Sequence, residues 1–316
     1  MIEVAGTRMS AIGLGCWQFG SREWGYGDWY AENEAGAIVG RALDLGVTLL
    51  DTAEIYGYGR SERIVGRAIA GRRDEAFVAT KLFPILPLAP VVGWRGRGSA
   101  RRLGVDAIDL YQVHQPNPVV PDSTVMAGMR RLQAEGIVRQ VGVSNYSLRR
   151  WQTAERALAG PVLSNQVHYS LIHRPAEDEL LPWANANDRL IIAYSPLEQG
   201  VLGGRYGPDN RPKGVRAMNR HFLPESLERS APLLDAVRRT AAAHDATPAQ
   251  VALAWLLAQG NVVAIPGASS VGQLEHNVAA ADLDLTADEV EELSRLSDGY
   301  RPAGAAALAR AMVSRR

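Results

Sequence analysis

One cysteine, Cys16, stands in a chain of 316 residues. That excludes an internal disulfide and any metal cluster built on cysteine. Net charge is missing too, because 34 Lys and Arg balance 34 Asp and Glu. A neutral chain sets up no field that would gather a phosphate backbone, so nucleic acid is not expected as a partner. No apolar run approaches the roughly 18 residues of a membrane span, and no membrane contact is expected. The opening Met1-Ile2-Glu3-Val4-Ala5-Gly6 lacks the basic-then-apolar order of a secretory signal, which makes a cytoplasmic protein the expectation. Six histidines are present, without His-Glu-x-x-His or comparable spacing, so no metal is expected.

What the chain has is apolar side chains, 47% of the total against 22% charged, enough for a large core. They fall into short continuous runs: Val47 to Leu50, Phe77 to Thr80, Ile108 to Val113, Val138 to Val143, Val162 to Val167, Leu190 to Tyr194 and Val262 to Ile265. Continuous rather than alternating runs read as strands buried on both faces. A run near Ile12 to Gly15 supplies an eighth. Amphipathic stretches lie between them, over Glu34 to Leu45, Ser61 to Ala70, Asp122 to Glu135, Ser147 to Leu158, Glu177 to Asn187, Ser230 to His244 and Val271 to Ala280. Repeated strand-helix alternation at this length predicts an α/β fold, a closed (β/α)8 TIM barrel forming a single domain over residues 1–316.

Local signals sharpen some boundaries. Thr247-Pro248 reads as a helix cap with proline in the first turn. Thr286 and Glu289 have capping-box spacing and predict an extra C-terminal helix to about Ser297, beyond the barrel. Pro84, Pro87 and Pro90 predict a short third helix, confined to Ser99 to Leu103. Glu198 to Leu227, rich in Gly, Pro and Arg, reads as a long loop of the kind that carries function or stays disordered. The Ala- and Arg-rich tail from Gly304 to Arg316 is consistent with a helix over the rim or a frayed end.

Enzymes on this barrel place their chemistry at the carboxyl ends of the strands. Six consecutive strand ends here carry hydrogen-bonding side chains: Asp51, Lys81, His114, Ser144-Asn145, Gln166 and Tyr194-Ser195. Each alone has a bland explanation, a helix cap or a solvated charge; six in succession do not. Gly13-Leu14-Gly15 and Gly57-Tyr58-Gly59 begin like a dinucleotide fingerprint but lack its third glycine, so both are read as tight turns at the barrel mouth.

The segment Asp51-Thr52-Ala53-Glu54-Ile55-Tyr56-Gly57, followed by Ser61-Glu62, closely resembles the aspartate-tyrosine motif of the aldo-keto reductase family. Ala79-Thr80-Lys81 resembles that family's lysine strand, and Asp109-Leu110-Tyr111-Gln112-Val113-His114 its histidine strand. Gly142-Val143-Ser144-Asn145-Tyr146, Tyr194-Ser195-Pro196-Leu197 and Ile265-Pro266-Gly267-Ala268-Ser269 are similar to its cofactor segments. The likeness runs in the family's order from about residue 10 to residue 280, and within the family it lies nearest bacterial members and potassium-channel β-subunits.

The resemblance implies reduction of a small-molecule carbonyl, an aldehyde or ketone, by hydride from a nicotinamide cofactor. Such a reaction needs a proton on oxygen, and a phenol with a pKa of about 10 is a weak source near neutrality. A neighbouring ammonium favours the phenolate, and a carboxylate holds the ammonium. Tyr56 is therefore expected to donate the proton, Lys81 to lower its pKa, Asp51 to hold Lys81, and a neutral His114 to orient the carbonyl oxygen. The resemblance further implies that Ser144, Asn145 and Gln166 hold the carboxamide, and that Tyr194 stacks on the nicotinamide ring unless it is plain barrel core. Ser195, Pro196, Leu197 and Gly200 would line the pyrophosphate path, Gly267, Ser269, Gln273 and Asn277 would meet the adenosine, and Trp17 would also touch the cofactor. NADPH is expected, with NAD possible: Gly267 and Gln273 stand where many relatives carry cations. Arg205 and Arg216 either clamp a 2′-phosphate in their place or are solvated loop charges.

Trp17, Phe19, Trp24, Tyr26 and Trp29 crowd the segment after the first strand without helical or alternating spacing. They read as an aromatic wall of the substrate pocket, with Trp24 and Tyr26 in contact with substrate, or as a loop packed by its own rings. His168 is placed to reach the site from the sixth strand; the remaining histidines outside the motif read as surface or structural residues. Two other functions compete. One is a cofactor-sensing regulatory barrel with little turnover, and the other is a lyase or isomerase using Lys81 as a Schiff base. The oligomeric state and the physiological substrate are not legible in the chain.

Overall fold

The apolar runs become strands because both of their faces meet other apolar groups. In the computed structural model, which describes residues 1–20, 30–207 and 209–304, an N-terminal hairpin comes first: β1 (Ile2–Val4) antiparallel to β2 (Thr7–Met9). Eight parallel strands follow, namely β3 (Leu14–Gly15), β4 (Leu49–Asp51), β5 (Phe77–Leu82), β6 (Ile108–Val113), β7 (Val138–Ser144), β8 (Ser164–His168), β9 (Leu190–Tyr194) and β10 (Val262–Ala264). Each neighbours the next in chain order. The first and last meet as well: Gly13 N donates to Ala264 O at 2.8 Å, Gly15 N to Pro266 O at 3.1 Å, and Ala264 N to Ala11 O at 3.1 Å. The sheet thus closes into the expected (β/α)8 barrel. Gly13-Leu14-Gly15 forms the closing seam rather than the turn expected of it, whereas Gly57-Tyr58-Gly59 is a turn, all three with positive φ.

The helices are α1 (Ala35–Asp44), α2 (Arg60–Ala68), α3 (Ala89–Leu103), α4 (Asp122–Ala134), α5 (Leu148–Leu158), α6 (Leu180–Ala186), α7 (Pro224–Ala243), α8 (Pro248–Leu257), α9 (Val271–Val278) and α10 (Ala287–Asp298). Among the described residues none is long and apolar enough to cross a membrane. Thr247 and Thr286 cap α8 and α10 with complete capping boxes. The additional C-terminal helix α10 packs on α7, and both stand outside the strand-helix alternation.

Three segments differ from the sequence expectation. Helix α3 is far longer than Ser99 to Leu103, because Pro90 falls in its first turn, where the missing N–H has no helical partner to lose. Its glycines are offset by packing: a Cβ on Gly96 would come within 2.5 Å of Leu132 on α4. Helix α7 begins at Pro224 rather than Ser230 and runs through Pro232. An interior proline costs about 3 kcal/mol, which burial of Leu227, Leu233, Leu234 and Val237 outweighs. The stretch after Glu198 is consequently not one long loop. Short 3₁₀ turns occupy Glu198–Gly203, Gly214–Met218 and Arg220–Phe222 before α7 starts.

The hairpin, which sequence patterning did not reveal, decides which end of the barrel is open. Val4 and Met9 join one buried cluster with Leu49, Ala79, Leu110, Ile192 and Val263. Ser10 bonds Thr48 just before β4, and Ala5 bonds Asp188 just before β9. The amino ends of the strands are thereby plugged, and open chemistry is left to their carboxyl ends. Met9→Ala is expected to lower the unfolding free energy by about 2–5 kcal/mol in urea titrations. Val119→Ala, at a position 84% exposed, should change it by less than about 0.5 kcal/mol; equal effects would remove the hairpin's role as floor.

Candidate active site

Lys81 lies on β5 with no exposed surface, two residues beyond Ala79, the register partner of Asp51 at the end of β4. Its ammonium has three acceptors: Asp51 Oδ1 at 2.5 Å, Thr52 O at 2.9 Å and Tyr56 Oη at 3.3 Å. Tyr56 reaches it because the chain turns tightly after β4, Tyr56 N donating to Ala53 O and Tyr58 N to Ile55 O. Gly20 lets that turn approach, since a Cβ there would stand 2.4 Å from the Tyr56 carbonyl carbon. His114, one residue past β6, presents its ring edge-on to Tyr56 with centroids 5.8 Å apart, and to Phe83 at 6.0 Å. The four residues expected to do the chemistry are thus in one cluster.

Burial pulls the Lys81 amine down, but the Asp51 carboxylate and the hydrogen bonds outweigh it, and the net shift is upward. Lys81 is therefore a firm cation. Burial and then the Lys81 charge push the His114 imidazole down to about 3, so this ring is neutral, as expected. Its Nδ1 is buried with no hydrogen-bond partner among the described residues. Tyr56 departs from expectation. Burial raises its phenol pKa by more than the Lys81 charge lowers it, with Asp51 adding to the rise. Lys81 is already answered at short range by Asp51, and a buried phenolate would lose its water. Tyr56 is accordingly a neutral phenol, its oxygen accepting from Lys81 and its own proton free to be given.

A second group of polar residues stands directly behind. Asp51 Oδ2 accepts from Gln166 Nε2 at 2.8 Å and from Gln112 Nε2 at 3.5 Å. Gln112 Oε1 in turn accepts from Ser164 Oγ at 3.4 Å. A Cβ on Gly142 would sit 2.4 Å from Ser164 Oγ and 2.9 Å from Gln112 Cγ, so this neighbour in the sheet has to be glycine. Gln112 and Ser164 were not singled out from the sequence. The signal was there: Gln112 lies two residues before His114, hence on the same face of its strand.

The expected carboxamide and ring residues are also contiguous. Ser144 Oγ donates to Gln166 O at 2.8 Å, Asn145 Nδ2 to Ser144 Oγ at 3.0 Å, and Tyr194 Oη to Asn145 Oδ1 at 3.1 Å. Ser195, Pro196, Leu197 and Gly200 follow in the turn after β9, where Ser195 and Gly200 have positive φ. At the adenosine segment, Gln273 Oε1 accepts from Ser269 N and Oγ at 2.8 and 2.7 Å, and Asn277 Nδ2 donates to Gly267 O at 3.3 Å. Gln18, unanticipated, donates to Ala268 O at 2.8 Å and braces that segment from the far side of the seam. Arg205 is exposed, its guanidinium 5.8 Å over the Tyr206 ring, and Arg216 is half-buried in its 3₁₀ turn. Among the described residues no hydrogen bond or ion pair joins either arginine to the Gly267–Asn277 segment.

The aromatic wall is divided. Trp17 is 39% exposed, while Phe19 is fully buried against Tyr30 and belongs to the core rather than to a pocket. Trp24, Tyr26 and Trp29 lie outside the described residues, as does the tail from residue 305. Among the described residues no group of His, Cys, Asp and Glu is arranged to hold a metal ion.

Residues 11–298 match the aldo/keto reductase family. An uncharacterized oxidoreductase of Mycobacterium tuberculosis is 58% identical over 295 residues, covering 93% of this chain and 91% of the relative. An aldo-keto reductase of Schizosaccharomyces pombe, named for NADP(+), is 32% identical over 323 residues, covering 96% and 93%. Among solved structures, a glycerol dehydrogenase of Gluconobacter oxydans superposes with a TM-score of 0.86 at 29% identity, covering 96% of both chains. An aldo/keto reductase of Klebsiella pneumoniae, solved with NADP and acetate, does so at 0.74 and 31%, covering 93% of this chain and 92% of that one. A family match along nearly the whole barrel, with relatives of this identity, places the chain in the aldo/keto reductase family of oxidoreductases.

Proposed function

We propose that this chain reduces an aldehyde or ketone to the alcohol with NADPH, and that Tyr56 gives the proton to oxygen. The observation that carries the reading is the phenol of Tyr56 lying 3.3 Å from the buried Lys81 ammonium, with a neutral His114 ring against it. The residues suit a nicotinamide nucleotide. Ser144, Asn145 and Gln166 form an amide- and hydroxyl-bearing set matched to a carboxamide, and the Gln166 amide oxygen is engaged with no described residue. When bound, the dihydronicotinamide supplies the hydride that joins the carbonyl carbon.

The developing alkoxide is a stronger base than a phenolate, so a phenol held above its ordinary pKa still protonates it. The phenolate left behind is then stabilised by Lys81, and Asp51 keeps that cation fixed. His114, unable to hold a second proton near neutrality, donates one N–H to the carbonyl oxygen and sets its direction. Phe83 stands edge-on to His114 and suits an apolar carbonyl compound, with Trp17, Trp24 and Tyr26 proposed to complete the wall. Lys81 as a Schiff-base nucleophile is disfavoured, because its nitrogen is a saturated cation. A purely cofactor-sensing barrel would have no need of Asp51, Tyr56, Lys81 and His114 together.

NADPH is favoured on the family relatives named above with that cofactor and on Arg205 and Arg216, either of which can offer a fork to a 2′-phosphate. A carbonyl panel run with both nucleotides should give a Michaelis constant for NADPH about tenfold or more below that for NADH. An NADH value equal or lower would reverse the preference. Tyr56→Phe is expected to cut the reduction rate by about 10²–10⁴-fold while the NADPH dissociation constant stays within about threefold of the parent; near-parental turnover would move the proton donor elsewhere. A phenol donor titrates upward from its ordinary value and the imidazole only near 3. Both are thus in their working forms throughout the neutral range. The reduction kcat should stay level between about pH 6 and about pH 9, and an ionisation near pH 7 in that profile would contradict the assignment.

A further inference from the structure

The turn after β9 holds an unusual backbone. Ser195, Glu198 and Gln199 have φ of 52°, 46° and 56°, and Gly200 has 102°. A residue with a Cβ is disfavoured in that left-handed region, and three such residues crowd into five positions. Backbone bonds close the turn on itself, Glu198 N donating to Ser195 O at 3.0 Å and Gly200 N to Leu197 O at 2.9 Å, and a contact with the rest of the barrel would fix its place.

The candidate is the side chain of Glu198 itself, which is 3% exposed. It leaves the turn and reaches back to the neighbouring strand. There its Oε1 pairs with His168 Nε2 at the end of β8 and accepts from Ser170 Oγ at 2.9 Å. His168 is the cross-strand partner of Tyr194, and the two rings lie nearly parallel, with centroids 5.4 Å apart and planes at 14°. His173 stacks on His168 at 3.9 Å, also at 14°. The Tyr194 ring is thus fixed across one face by His168 and at its hydroxyl by Asn145. A continuous chain of contacts runs from the turn, through Glu198, His168 and Tyr194, to Asn145.

A carboxylate-imidazole pair whose carboxylate is buried, as here beside a part-exposed imidazole, is a poor source of stability, because the carboxylate gives up water to form it. It is a good source of position, because it has one geometry. We propose that Glu198 and His168 are a positioning pair: together they fix the turn from Ser195 to Gly200 and the plane of Tyr194 so that both receive the nucleotide. The proposal rests on the reading of this barrel mouth as a nicotinamide-nucleotide site. Neither residue touches the reacting atoms; each acts through the turn or the tyrosine ring.

The test is NADPH binding by fluorescence titration, with steady-state kinetics alongside, for the parent, Glu198→Ala, His168→Ala and the double variant. Each single change should raise the NADPH dissociation constant about tenfold or more, and the double should be no weaker than the worse single, because the two act as one unit. At saturating NADPH, kcat and the carbonyl KM should stay within about threefold, a split that general loosening of the fold would not give. Glu198→Gln, which keeps length and hydrogen bonds without the charge, should recover most of the affinity. Should Glu198→Ala fail to fold, Glu198→Asp decides: its side chain is too short for His168, so the same weakening is expected. Parental affinity in Glu198→Ala or Glu198→Asp, or strictly additive effects in the double variant, overturns the pair while leaving the proposed reaction intact. A parent protein that binds no NADPH removes both.

Discussion

A lysine ammonium sealed from water inside a barrel must be answered by charge, and the rest of the site is built around that answer. Lys81 is held by Asp51, a backbone carbonyl and a phenol. Taking away the carboxylate alone would strand a buried cation, a change worth about 3–5 kcal/mol in comparable pairs. Asp51 in turn is kept in place by Gln166 and Gln112, which come from β8, directly across the barrel, and from β6, two strands away. Closure of the barrel is what makes this possible. In an open sheet, residues so far apart in strand order could not converge on one carboxylate.

The two ends of the barrel divide the work. Val4 and Met9 of the hairpin join the apolar cluster at the amino end, so the interior below the ion pair is lined by apolar side chains. At the carboxyl end, burial raises the phenol of Tyr56 and lowers the imidazole of His114 by the same cause, loss of water around the charged form. One environment therefore yields two neutral hydrogen-bond donors next to a cation. Such a set suits a reaction in which negative charge appears on a carbonyl oxygen and must be met at once.

Lys81 does pull the Tyr56 phenol down, as expected, but burial raises it by more, for a reason no linear reading supplies. Charge proximity was inferred correctly from the motif, but the weight of burial against charge depends on how completely the phenol is enclosed. Likewise the third helix looked short because Pro90 was read as a breaker, when its position in the first turn made it harmless. Phe19 shared a segment with Trp17 but turned inward to Tyr30. In each case the residue type was legible, and its direction or enclosure was not.

By itself the sequence determined the alternation of strands and helices, the strand ends that carry polar groups and the capping boxes at Thr247 and Thr286. These are written in local patterns of apolar spacing and side-chain chemistry, which need no knowledge of distant neighbours. Only the tertiary structure decided that Gln112 and Ser164 stand behind Asp51, that a hairpin shuts one end, and that Glu198 reaches back to His168. Those contacts join residues 30 or more positions apart, and chain distance of that order is invisible to any local pattern.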